Sequence, residues 1–232
     1  SRGLGDVYKR QFFMCTTMLL SFNNLVCQNS YKLASLKYSG GGDWYSNPSS
    51  LNNLIKFCNK NIGTNIIEEY DYVELKSSDI YGYPYVYATG HGNIKFTESE
   101  REVLRKYLLA GGFLHIDDNY GMDKFIRNEL KLVFPNKELI SLKRNHLIFN
   151  GKYDLSDGLP KIHQHDGKNA EAFAIYNEKR MIILYTYESD LGDGWEDQEV
   201  HNNSEKTREK ALMMGANILD FVSVSYTHLR AH

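Results

Sequence analysis

Cysteine is scarce in this chain: three occur among 232 residues, at Cys15, Cys27 and Cys58. The first two fall in a segment expected to be removed, so no disulfide framework is expected. Basic charge is not in surplus either. With 27 Lys and Arg against 29 Asp and Glu, the formal net charge is −2. That excludes a protein built to neutralise nucleic-acid phosphates. No apolar run is long enough to span a bilayer. Residues 12–27 (FFMCTTMLLSFNNLVC) come nearest and are broken by Asn23 and Asn24. The glycine-rich stretch at residues 40–43 fits neither GxGxxG nor a Walker loop. Internal repeats and linker-like stretches are also missing, which leaves one domain.

What is present suits a globular α/β domain with a sizeable core: 42% hydrophobic and 24% charged residues, with 17 tyrosines. The two ends read as foreign. Residues 1–11 (SRGLGDVYKRQ) and 224–232 (VSYTHLRAH) resemble translated adapter sequence and are set aside. Residues 12–29 then read as the remnant of a signal peptide, cleaved near residues 27–30. The domain proper is expected over residues 30–223, periplasmic or secreted. If residues 12–27 are instead an ordinary buried element, the protein is cytoplasmic.

The pattern within the domain alternates strand and helix. KLASLKY (32–38) reads as a strand running into the glycine loop, and Asn47-Pro48 reads as the cap and first position of a helix carrying Leu51, Leu54, Ile55 and Cys58. YPYVYAT (83–89) is a strand ending at Gly90-His91-Gly92. Thr97 with Glu100 is a capping box for a helix with Val103, Leu104, Tyr107 and Leu108. Phe113, Leu114 and Ile116 form a short apolar run bounded by glycines, the mark of a buried central strand, and it ends in Asp117-Asp118-Asn119. Met122, Phe125, Ile126, Leu130 and Val133 form another helical stripe. Two strands, 171–176 and 180–187, read as a hairpin before the acidic stretch 188–197 and a last helix over 205–222.

Four of these strands end in glycine, an acid or a histidine, and right-handed crossovers bring such ends to one edge of a sheet, where α/β proteins bind ligands. The residues placed at that edge are Asp117 and Asp118 as catalytic candidates, with Asp43, Trp44, Gly90, His91, Asn119, Glu188, Asp190, Asp193 and Trp195 as ligand-binding candidates. Strand side chains alternate, so only one of Asp117 and Asp118 need face the cleft. The other alternative for these two is capping of the next helix. His115 reads as a hydrogen-bonded core residue. His163 and His165, with Asp166, have metal-ligand spacing and are candidates for a divalent cation. The acids of 190–197 read either as a loose calcium-type loop or as a solvated acidic loop. Trp44 and Trp195 beside carboxylates read either as platforms for a sugar ring or as plugs over the sheet. Because carboxylates gathered at one edge repel each other, Asp117→Asn is expected to keep or raise the melting temperature while reducing ligand or metal affinity.

Several of these stretches, YSGGGDWYSNPSSLNNLIKFCNKN (38–61), YATGHG (87–92), LRKYLLAGGFLHIDDNYGMDKFIRNE (104–129), GLPKIHQHDG (158–167) and YTYESDLGDGWEDQEVHN (185–202), resemble the bacterial family DUF4159. The resemblance implies a class I glutamine amidotransferase-like fold, a flavodoxin-like three-layer sandwich with a mostly parallel sheet. It also implies kinship with Bacteroidetes proteins that often carry a signal peptide. It implies no activity. Amidotransferases of that fold hold a nucleophilic Cys after a central strand. Asp117 stands at that position here, and the partner His and Glu are replaced by Glu188 and Asp190, so glutaminase chemistry is not expected.

The expectation from the sequence is therefore an exported protein whose acidic cleft binds a small polar ligand, a carbohydrate or cell-envelope component. No nucleic acid and no membrane span are expected, and protein partners are unspecified. The alternatives are a carboxylate- or metal-dependent hydrolase, with a divalent cation as cofactor, and a non-catalytic assembly module.

Overall fold

The computed structural model describes the backbone of residues 30–230 and the side chains of residues 30–223. Residues 1–29, which include the stretches read as a foreign tail and a signal remnant, and the last two residues lie outside the described residues. Among the described residues seven strands form one sheet: β1 (Ala34–Lys37), β2 (Asp71–Glu74), β3 (Tyr85–His91), β4 (Phe113–Tyr120), β5 (Ile140–Ser141), β6 (Glu171–Asn177) and β7 (Arg180–Tyr187). Their order is β2-β1-β3-β4-β7-β6-β5. β2, β1, β3, β4 and β7 are parallel, and β6 is antiparallel to both β7 and β5. The helices are α1 (Ser50–Asn61), α2 (Glu98–Leu109), α3 (Asp123–Val133), the short α4 (Leu191–Trp195) and α5 (Gln198–His201), and α6 (Glu205–Arg230). Among the described residues no helix is long and apolar enough to cross a membrane. The result is the expected α/β sandwich with a mostly parallel sheet.

The sheet has a core on each face because both faces of every central strand are apolar. Tyr85, Tyr87, Phe113 and Leu184 pack with Leu51, Leu54 and Ile55 of α1 and with Ala211 and Ile218 of α6. Val86, Ala88, Leu114, Ile116 and Ile183 pack with Leu104 and Leu108 of α2 and with Ile126 and Leu130 of α3. Alternation along β4 therefore sends His115 and Asp117 toward α1 and α6, and Asp118 toward α2 and α3.

The capping signal at Thr97 behaves as expected. Thr97 Oγ1 accepts the Glu100 N–H at 3.3 Å while Glu100 Oε2 accepts the Thr97 N–H at 2.7 Å, the reciprocal pair of a capping box. α2 stops at Gly111, whose φ of +119° suits glycine. Two expectations are corrected. The helix after Pro48 has Ser49 as its N-cap, not Asn47. And the acidic stretch is no solvated loop: Glu188, Asp190, Asp193 and Glu196 are all buried, carried inward by α4.

Cys58 lies on the buried stripe of α1 with no exposure. Burial, reinforced by Asp220, pushes its thiol up to about 12, so it stays protonated and inert. Cys58→Ala is expected to cost about 1 kcal/mol in chemical denaturation and to leave cation binding unchanged. Rapid labelling of Cys58 by a thiol reagent in the native protein would contradict this.

Candidate functional site

The strand order reverses between β1 and β3, and the crevice outside the carboxyl ends at such a point is where α/β sheets bind ligands. At this crevice Gly90 has φ +137° and touches Tyr38 and the backbone of Asp43 so closely that no Cβ fits. The close approach lets Asp43 Oδ1 accept the His91 N–H at 2.5 Å, while Asp43 Oδ2 sits 3.0 Å from His91 Nδ1. Asp43 and His91 are thus a pair with each other. Trp44 lies edge-on to Tyr45 and Tyr72, both exposed.

The next layer is built on β4. Asp117 is fully buried and accepts three hydrogen bonds: from Tyr87 Oη at 3.1 Å, Thr186 Oγ1 at 2.5 Å and the Gly192 N–H at 2.7 Å. The last of these ties the strand to the start of α4. Side chains cannot be added at Gly192, where a Cβ would come within 2.5 Å of Tyr87 Oη. Asn119 is also buried, and its Nδ2 donates to Asn47 Oδ1 at 2.7 Å and Asp193 Oδ1 at 3.2 Å. Asn47 Nδ2 donates to the same Asp193 oxygen at 2.6 Å. Asn47, read from sequence as a helix cap, is instead a polar strut between β3, β4 and α4. Asp118 points the other way: its Oδ1 accepts the Met122 N–H at 2.9 Å and its Oδ2 accepts from Tyr185 Oη at 3.2 Å. It thereby holds the entry to α3. Buried His115 takes Tyr85 Oη and Thr186 Oγ1 as partners at 2.8 and 3.1 Å.

Beyond β7 the chain reverses through Glu188 and Asp190, both in the left-handed region at φ 55° and 59°. The turn is pinned to the 160–165 loop, where Ile162 N–H donates to Ser189 O at 2.9 Å and Ser189 Oγ to Pro160 O at 2.6 Å. Lys161 Nζ meets buried Glu188 Oε2 at 2.8 Å. Trp195 is fully buried, packed on Tyr87 and His115, with Nε1 donating to Ala211 O at 2.8 Å. Its ring is a core plug that anchors α4.

This scaffold gathers histidines and carboxylates that are far apart in sequence. His163 Nδ1 lies 3.4 Å from Asp190 Oδ2 and 3.0 Å from Asp193 Oδ2. His165 Nε2 lies 2.5 Å from Asp190 Oδ2. His201 Nε2, at the end of α5, lies 3.0 Å from buried Glu196 Oε2 and 3.6 Å from Asp193 Oδ1. Two trios result, His163–His165–Asp190 and His163–Asp193–His201, each with its ligand atoms within 4.8 Å of one another. A tetrahedral zinc with bonds of about 2.1 Å sets its ligand atoms about 3.4 Å apart, close to most of these separations. Both histidines meet Asp190 through Oδ2, and its buried Oδ1 has no hydrogen-bond partner, an open valence on the carboxylate they share.

Electrostatics follow the burial. Burial pushes Asp117 up to about 7; the Thr186 and Gly192 hydrogen bonds oppose this, and the Asp190 and Asp193 charges add to it. Burial likewise raises Asp118 to about 6 against its Met122 and Tyr185 hydrogen bonds. Hydrogen bonds to Asp190 and then Asp193 raise His163 to about 10. Burial opposes ionisation of Asp193, but its bonds to His163 and Asn47 prevail and hold it below the usual carboxylate range.

Of the residues singled out from sequence, the structure joins His163, His165, Asp190 and Asp193 in one cluster. It connects Asp117 and Asn119 to that cluster through α4 and places Glu188 at its margin. Asp43, His91 and Trp44 form a separate group at the β1 and β3 ends. The acids do not form a calcium loop, since Asp197 bonds Asn53 and Glu196 bonds Ser49 and His201. His201 was not singled out from the sequence, although Glu196 and Asp193 lie only five and eight residues before it; no metal motif has that spacing, and its third neighbour, His163, comes from another loop. The family model DUF4159, a domain of unknown function, matches residues 32–222. No curated protein matches the chain.

Proposed function

Because the chain belongs to the DUF4159 family, a family of unknown function, we propose a function from the site itself: a hydrolase dependent on one divalent cation. His163, His165 and Asp190 hold the cation at the carboxyl edge of the sheet. One observation carries the reading. Two imidazoles converge on a fully buried aspartate whose second oxygen is unpartnered, and a mixed nitrogen and oxygen set of this kind suits zinc. Three protein ligands leave a position for water, which the cation would acidify toward neutral pH. His201, backed by buried Glu196, stands beside Asp193 to take the proton. Asp117 and Asn119 act as supports: they fix α4, and with it Asp193, by hydrogen bonds. Export, expected from residues 12–27, is part of the same proposal.

The test is zinc titration by calorimetry between pH 6 and 8, with elemental analysis of the purified protein. A cation must displace a proton from His163, whose pKa near 10 keeps it protonated through this range. Affinity is therefore expected to tighten about tenfold per pH unit for each proton released. Without the cation the sign reverses for stability. The His163 pairs contribute fully below the unfolded imidazole value of 6.5 and are lost as pH rises through about 10. Chelator-sensitive hydrolysis of nitrophenyl esters or glycosides, restored by zinc, would support turnover. Absence of zinc binding at pH 8 would overturn the proposal.

A further inference from the structure

A groove of about 290 Å³ opens directly beside His165, between the end of β4 and the turn after β7. Its wall is Tyr120, a large aromatic that is 45% exposed. One face of the ring stacks on His165, with centroids 4.7 Å apart and planes 29° apart. The hydroxyl is tied down by donating to Asp166 Oδ1 at 2.8 Å. Lys168 Nζ completes a chain across the groove, 3.3 Å from Asp166 Oδ2 and 3.0 Å from Tyr187 Oη. The ring is therefore held in place before any ligand arrives, which reduces the ordering cost of binding.

We infer that this groove is a sugar subsite, in which Tyr120 takes the apolar face of a neutral pyranose ring and presents it to the cation cluster through His165. The placement beside a cation rests on the proposed function; the sugar chemistry rests on the groove. A pyranose offers a C–H face to an aromatic plane and hydroxyls to the rim, and the rim here alternates carboxylate, ammonium and phenol. Charge favours an uncharged ligand. Asp118, Asp123, Asp166 and Glu188 line the groove with Lys124 and Lys168, and Arg127 pairs with Asp123 and Lys161 with Glu188, so no surplus of either sign calls for a charged ligand. The volume suits one ring, or one ring and part of the next. Of the two tryptophans read as possible platforms, Trp195 is in the core and Trp44 packs against Tyr45 and Tyr72 away from this groove, so Tyr120 is the aromatic wall the groove offers.

The experiment titrates the full chain, loaded with zinc, with cellotriose, chitotriose and maltotriose, and with inorganic phosphate. At least one trisaccharide is expected to bind. Tyr120→Ala should weaken it by about tenfold or more, while Tyr120→Phe, which keeps the ring, should stay within about threefold. Zinc affinity measured separately should be nearly unchanged in Tyr120→Phe, which keeps the ring on His165. If zinc binds and no trisaccharide does, the subsite is wrong and the cation reading stands. If a trisaccharide binds in a Tyr120-dependent way and zinc does not, the subsite stands and the cation reading fails. Unchanged binding in a folded Tyr120→Ala, or displacement of the sugar by phosphate, overturns the inference.

Discussion

His163→Ala is expected to weaken zinc binding by more than about 100-fold, beyond the 10- to 100-fold that loss of a group merely supporting a ligand costs. His163 is the one residue common to both trios of convergent ligand atoms, so among the described residues no other such set of three survives its removal. The side chain is partly exposed at 27%, and the fold does not depend on it for packing. Asp190 keeps His165 as a partner and Asp193 keeps Asn47 and Asn119, so the variant should fold. His146→Ala is the control. That imidazole pairs with Tyr176 and Ile148 N–H, far from the cluster in the fold, and its loss should not change zinc affinity. A His163→Ala protein that binds zinc within about threefold of wild type would end the cation reading.

Asp117→Asn is expected to stabilise the metal-free protein, and to do so increasingly as pH rises. The carboxyl of Asp117 has a folded value of about 7 against an ordinary value of 3.8, chiefly because it is buried. The folded state thus favours the neutral acid. Stability from that preference is full below about pH 3.8 and is lost as pH rises through about 7. Asparagine mimics the neutral acid. Its oxygen can accept from Tyr87 and Gly192, and its amide can donate to Thr186 Oγ1, which itself has Ile116 O as an acceptor at 3.2 Å. At about 1.36 kcal/mol for each tenfold change in proton affinity, the advantage of the variant should widen by about 3 kcal/mol between pH 5 and pH 8. Urea denaturation of chelator-treated protein at the two pH values reads this difference. Zinc affinity should fall less than about tenfold, since Asp117 supports α4 without reaching the cation. A variant less stable than wild type at pH 8 would show that the carboxylate is ionised and held by its donors, not forced toward neutrality.

The layered α/β class, the central position of β4, the capping box at Thr97, the apolar stripes of α1 and α3 and the hairpin β6–β7 were all legible in the residues. So was the gathering of polar strand ends at one edge. These features come from periodicity, capping and turn chemistry, each of which acts between residues a few positions apart. A parallel sheet then has few ways to arrange itself. The tertiary structure decided which chemistry that edge can hold. His163 and His165 come from an irregular loop, Asp190 from the turn after β7, Asp193 from α4 and His201 from α5; no period links them. It also decided that Asn47 is a strut and Trp195 a plug, because each side chain's role is set by partners on distant segments. Which of two adjacent aspartates faces the cluster was settled by the layer each side of the sheet received. Helices α1 and α6 cover the face of Asp117, and α2 and α3 cover the face of Asp118. Local sequence fixes the alternation of side chains along a strand, but only long-range packing determines what each side chain meets.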